Sequence, residues 1–160
     1  MPQFKSISEL KKHILNLANQ NPNDSNLKDT IAETMHDVIE TNVYDAFNPK
    51  SYERRGDKGG FSDVNNMVFT DTQINGDKLQ MTFENITTGA DSMYGERIDE
   101  TLEYGIENNW DNPEVYDDWG RKNSAPRPFI EDTRDELQYR KSELTDALKK
   151  DLREKGFKVK

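Results

Sequence analysis

Imidazole and carboxylate are the groups here with which chemistry could be done, because the chain contains no cysteine. That absence excludes disulfides, cysteine-based zinc sites and a thiol nucleophile. The two histidines, His13 and His36, each stand alone on a segment of helical period. A zinc centre needs further ligands, and none is spaced along the sequence beside either ring. Both are therefore read as surface or boundary histidines. The serines form no Ser-His-Asp pattern, so nucleophilic catalysis has no visible machinery. Carboxylate pairs are plentiful: Asp99-Glu100, Asp117-Asp118, Glu131-Asp132 and Asp135-Glu136. Such pairs serve glycosidases and two-metal nucleases. But 31 acids among 160 residues produce pairs by chance, and no flanking motif selects one. Near a helix start, Asp132 and Asp135 are accounted for by the helix dipole.

The segment DTQINGDKLQMT, beginning at Asp71, matches a calcium-binding loop at Asp71, Asn75 and Gly76. It has Gln73 at the third position and Thr82 where a bidentate Glu is required. Its flanks alternate like strands, and it is read as a hairpin turn. Gly56, Gly59 and Gly60 fit neither the P-loop nor the dinucleotide fingerprint. No catalytic residue, cofactor or metal is expected.

The elements that would position any site follow from periodicity. Ser6-x-x-Glu9 opens a capping box, followed at helical spacing by Ile7, Leu10, Ile14, Leu15 and Leu17. This helix should stop near Asn21-Pro22. A second begins around Asp24 or Ser25, with Leu27, Ile31, Met35, Val38 and Ile39 as its stripe; alternatively the gap is a bend in one long helix. Asn75-Gly76 signals a β-hairpin, whose return strand alternates Leu79, Met81 and Phe83 with polar residues. A two-residue loop sets Val68 opposite Phe83; a three-residue loop sets Phe69 there. Ile98, Leu102 and Ile106 could form a short stripe, and residues 108–124 read as irregular. Pro128 or Thr133 starts the last helix, Thr133-x-x-Glu136 being a second capping box. Leu137, Leu144, Leu148 and Leu152 carry it, and Gly156 is its C-cap. The expected fold class is α+β, in one domain. It comprises N-terminal helices over 1–45, a loop over 46–66, a hairpin over 67–86, an acidic loop region over 96–124, and a C-terminal helix and tail over 127–160.

Composition limits what this domain can be. Apolar residues make up 32% of the chain; counting Gly in and Tyr out raises this to about 34%, against about 45–50% in soluble domains. Charged residues reach 33% and the mean hydropathy is −1.06. The core must be thin for the length, yet the aromatic content argues against full disorder. No apolar run approaches the length of a membrane span, and the N-terminus lacks a signal-peptide h-region. The net charge of −9 is uneven. Between Glu96 and Asp118 nine acids meet one base, whereas from Trp119 onward twelve bases meet eight acids. A net-negative chain is poorly suited to general DNA binding.

Two stretches look built to bind other proteins. In VYDAFNPKSYERRGDKGGF, the rings of Tyr44, Phe47, Tyr52 and Phe61 accompany Pro49, Arg54 and Arg55 on a segment without a regular period. Aromatic and arginine side chains together are the composition of interface anchors. In Ala125-Pro126-Arg127-Pro128-Phe129, two prolines fix an extended approach that delivers Phe129 where the last helix begins. The alternative is that such rings simply cover the thin core.

The series Val43, Tyr44, Phe47, Pro49, Tyr52, Arg54, Arg55, Gly59, Gly60 after a helical segment, with Arg127-Pro128-Phe129 entering an amphipathic helix, resembles small virion proteins of long-tailed bacteriophages that infect Gram-positive bacteria. These belong to the tail-component family of tail-completion and head–tail joining (neck) proteins. The acidic, tryptophan-containing stretch from Glu96 to Trp119 replaces a short basic or glycine-rich loop usual in that family. The resemblance implies helices packed on a small sheet, no enzymatic activity, and a homo-oligomeric ring in the virion, assembled in the host cytoplasm. Its partners would be copies of itself, portal or adaptor proteins, and tail-tube or tail-terminator proteins. DNA would pass through without specific binding, repelled by a channel-facing belt including Glu103, Glu107 and Asp111. A small acidic inhibitor of phage origin that mimics DNA is the alternative expectation.

Overall fold

A computed structural model describes residues 5–45, 55–88, 103 and 128–159. Helices α1 (Ile7–Ala18) and α2 (Asn26–Ile39) are followed by a π-helical turn over Glu40–Tyr44 and a 3₁₀ turn over Val64–Asn66. Strands β1 (Met67–Asn75) and β2 (Lys78–Asn85) form an antiparallel hairpin, and helices α3 (Phe129–Tyr139) and α4 (Lys141–Glu154) complete an α+β fold. Among the described residues, no helix is long and apolar enough to cross a membrane.

The local signals explain most boundaries. Ser6 caps α1 by accepting from the Glu9 amide at 3.1 Å, and Glu9 accepts in return from Lys5 N at 2.7 Å. Asn21 adopts a left-handed φ of 52°, which separates α1 from α2 and settles the two-helix alternative. Ser25, not Asp24, caps α2, accepting from Lys28 N. At the far end Gly156 takes φ 91°. Its amide donates to Arg153 O and the Phe157 amide to Leu152 O, the paired bonds of a Schellman cap.

Two expectations are corrected, and the open hairpin register is resolved. The C-terminal helix is two helices, broken at Arg140 with φ −88° and ψ 25°. Thr133 is not a cap: it lies inside α3, buried, and its hydroxyl donates to Phe129 O at 2.6 Å. The hairpin combines a two-residue Gly76-Asp77 turn with a bulge between Phe69 and Asp71, so that Phe69 faces Phe83. Gly76 has φ 65°, a conformation that costs glycine little. The Phe69 and Phe83 rings meet edge to face at 5.1 Å. On the outer edge of β1, the Asn23 side chain accepts from Phe69 N and donates to Phe69 O, taking the place of a further strand.

The core lies along one face of α2. Ala32, Met35, Ile39 and Val43 pack with Phe61, Met67 and Phe129. Phe61 and Phe129 meet edge to face at 4.9 Å, and Phe129 is fully buried. Among the described residues these seven side chains form the buried cluster. Buried polar bonds supplement it. Asp151 of α4 accepts from the amides of Asn26 at 2.7 Å and Leu27 at 3.1 Å, so a distant carboxylate covers the N-terminus of α2.

Candidate functional site

Residues 55–66, ahead of the hairpin, are built from turns held together by side-chain amides. Gly60 approaches the backbone so closely that a Cβ would lie 2.4 Å from Gly56 O; only glycine fits. The Gly60 amide donates to Gly56 O, closing the turn. Asp63, buried, accepts from Gly59 N at 2.7 Å, Asn65 N at 2.9 Å and Asn65 Nδ2 at 2.8 Å. The Asn65 amide, foremost, and then that of Gly59 hold its carboxyl below the usual carboxylate range, against the opposing effect of burial. Asn85 Nδ2 donates to Phe61 O, while Asn66 Nδ2 and Thr87 Oγ1 both donate to Gly60 O. Lys28 Nζ reaches Val64 O at 3.0 Å.

These bonds decide the fate of several expected interface residues. Tyr44 is half-buried, and its hydroxyl accepts from Ser62 N at 3.2 Å. Arg55 is exposed and donates to Thr88 O at 2.7 Å. Phe61 and Phe129 belong to the core, so the expectation that they anchor a partner is corrected: each ring fills the space beside the other. Pro128 is exposed immediately before α3. Phe47, Pro49, Tyr52, Arg54 and Arg127 lie outside the described residues, as do Glu107 and Asp111. Glu103 is buried and accepts from the amides of Ile130 at 2.8 Å and Glu131 at 3.3 Å. Its carboxylate is thus spent on the N-terminus of α3, where the helix dipole favours it, and the expected channel-facing role is corrected.

Sequence spacing gave His36 no companions; the fold supplies them. A groove of about 410 Å³ is lined by Glu33, His36, Asp37, Asp57, Asp63, Val64 and Asn65. His36 Nε2 lies 3.4 Å from Asp57 Oδ1 and 4.0 Å from Glu40 Oε1, and its Nδ1 lies 3.5 Å from Asp37 Oδ1. One ligand atom from each of His36, Glu40 and Asp57 falls within 4.8 Å of the others. Ser62 Oγ donates to Asp57 Oδ1 at 3.1 Å, the same oxygen that faces His36 Nε2. Arg140 Nη2 approaches Asp37 at 3.8 Å, but its Nε is engaged by Glu136 at 2.9 Å. Glu40 follows His36 at i, i+4 in the sequence, but that pair alone falls short of the ligand set a metal centre needs. Asp57 was not visible there, because the π turn and the glycine turn together bring it across.

A sequence family described as YomN matches residues 6–154. The chain is 31% identical over 161 residues to the "SPbeta prophage-derived uncharacterized protein YomN" of Bacillus subtilis (strain 168), a match covering 97% of this chain and 98% of that protein. No solved structure matches.

Proposed function

The chain belongs to the YomN family, and from that premise we propose that it is a structural, non-enzymatic component of a phage particle. In this reading it occupies the neck or tail end as a homo-oligomeric ring joining the head connector to the tail. Portal or adaptor proteins and tail-tube or tail-terminator proteins are its neighbours. The prophage provenance of the relative, matched along nearly the whole of both chains, supports the phage setting. The resemblance of Val43, Tyr44, Phe47, Pro49, Tyr52, Arg54 and Arg55 to tail-component proteins supports the position within the particle.

The observation that carries the docking role is how the described residues on either side of positions 46–54 are held. On one side Tyr44 is tied to Ser62, and on the other Arg55 is tied to Thr88 while the Gly56–Gly60 turn closes beside it. Rings and guanidinium groups that spring from a fixed base lose less entropy on binding than those on a free tail. Tyr52 and Arg54 are the anchors of this surface. Tyr52→Ala and Arg54→Ala should leave the circular dichroism and melting temperature of the isolated chain unchanged and remove the protein from purified particles. Incorporation at the wild-type stoichiometry would refute the docking role. Absence of the wild-type chain from particles would refute the reading as a whole.

A further inference from the structure

We propose that His36, Glu40 and Asp57 form a binding site for a divalent transition-metal ion of the zinc class. Two ligands bonded at about 2.0–2.1 Å to a tetrahedral zinc lie about 3.3–3.4 Å apart. His36 Nε2 and Asp57 Oδ1 stand at 3.4 Å, and Glu40 Oε1 lies 4.0 Å from the same nitrogen. Glu40 also has a carboxylate oxygen within 4.8 Å of the Asp57 ligand atom, and its half-exposed side chain would turn inward on binding the ion. The three protein ligands leave a fourth position open to water from the groove.

The surroundings of the ring have the form that metal-bound histidines take. An imidazole that ligates through one nitrogen usually turns its other nitrogen towards a carboxylate, which fixes its tautomer and orientation. Here Nε2 faces the proposed ligands and Nδ1 faces Asp37. Asp57 is itself oriented by the Ser62 hydroxyl. The second element is the π turn, a rare conformation that concentrates at functional sites. It runs from Glu40 to Tyr44, closed by Asp45 N donating to Glu40 O. Among the described residues, no lysine or arginine comes within ion-pairing distance of Glu40 or Asp57, so a cation has carboxylates to neutralise. An imidazole nitrogen suits zinc and its neighbours, not magnesium or calcium, which prefer oxygen alone.

The ion would join the end of α2 to the glycine turn, bridging the two ends of segment 46–54. That consequence for docking rests on the particle reading; the metal site itself does not.

The test uses the full chain, purified and treated with chelator, and titrated with zinc chloride or magnesium chloride by calorimetry and by thermal melting. One zinc per chain is expected, with a melting temperature raised by about 5–10 °C at a hundredfold excess over Kd. Asp57→Asn and His36→Gln should each weaken zinc binding at least about tenfold, and Glu33→Gln, on the groove wall, should leave it within about twofold. Should His36→Gln unfold, Glu40→Gln on its half-exposed side chain takes its place. Undetectable binding at about 100 μM zinc, binding unchanged by Asp57→Asn, or magnesium binding as tightly as zinc would each overturn the site. Because the readout is taken on isolated protein, its failure leaves the particle experiment untouched.

Discussion

The two ends of α2 treat carboxylates in opposite ways. At the N-terminal end, Asp151 is buried against the amides of Asn26 and Leu27, and the Asn26 side chain adds a third donor at 2.7 Å. Here charge, dipole and hydrogen bonds agree, and the acid joins two helices that are distant in sequence. At the other end Asp37, Glu40 and Asp57 surround one imidazole, and the dipole of α2 works against them. Acid at the first end is explained by what the protein itself supplies. At the second end Arg140 answers Asp37 and the Ser62 hydroxyl answers Asp57, but among the described residues no lysine or arginine pairs with Glu40 or Asp57, and the proposed metal ion would fill that place.

The contrast can be broken most forcefully at Asp151. Asp151→Ala leaves buried donors unmatched and should cost about 3 kcal/mol of unfolding free energy, measured by urea denaturation. A loss below about 1 kcal/mol would mean that Ser25 alone suffices as the cap of α2.

Asp63 sharpens the comparison, since it lines the groove yet is satisfied by amides. Asp63→Asn turns a donor towards donors and should cost about 1–3 kcal/mol at neutral pH. The folded protein holds this carboxyl below its ordinary value, so its contribution is fully present above the ordinary carboxylate range, about pH 4. It is lost as pH falls from there through the folded value. The variant's stability should therefore decline less steeply below about pH 4 than the wild type's, and parallel curves would exclude Asp63 as a source of acid sensitivity.

The smallest effect is expected at the crowded end. Without metal, Asp57→Asn or Glu40→Gln should be neutral or stabilising by no more than about 0.5 kcal/mol, because relief of repulsion among exposed charges is modest. With zinc present the same substitutions should lower the melting temperature relative to wild type. A reversal of sign between the two conditions would be the clearest mark that the ends of α2 differ in kind.

How far the sequence anticipated this arrangement depends on how local each cause is. Ser6, Ser25 and Gly156 act on amides or carbonyls within four residues, and their caps were legible, Ser25 alongside its rival Asp24. The alternation of Leu79, Met81 and Phe83 identified the hairpin. Its register is not legible there, because a bulge alters pairing without leaving a signature in composition. Thr133 was misplaced as a cap because the carboxylate serving that helix, Glu103, comes from 27 residues away. Phe61 and Phe129 were assigned to a surface because a ring suits a core and an interface equally well. Only the 4.9 Å contact between them decides it. His36 lacked companions on the line because two turns, one π-helical and one dependent on Gly60, create the proximity.

The bulged hairpin offers a practical handle. Beyond Phe69 the ribbon runs out to Gly76-Asp77, both exposed, and the ion pair of Asp77 with Lys11 lies between well-exposed side chains. A small affinity tag or fluorophore grafted into this tip would touch none of the residues that line the α2 groove. Labelled in that way, the protein could be sought in purified particles with the groove left unaltered, which would test the proposed location directly.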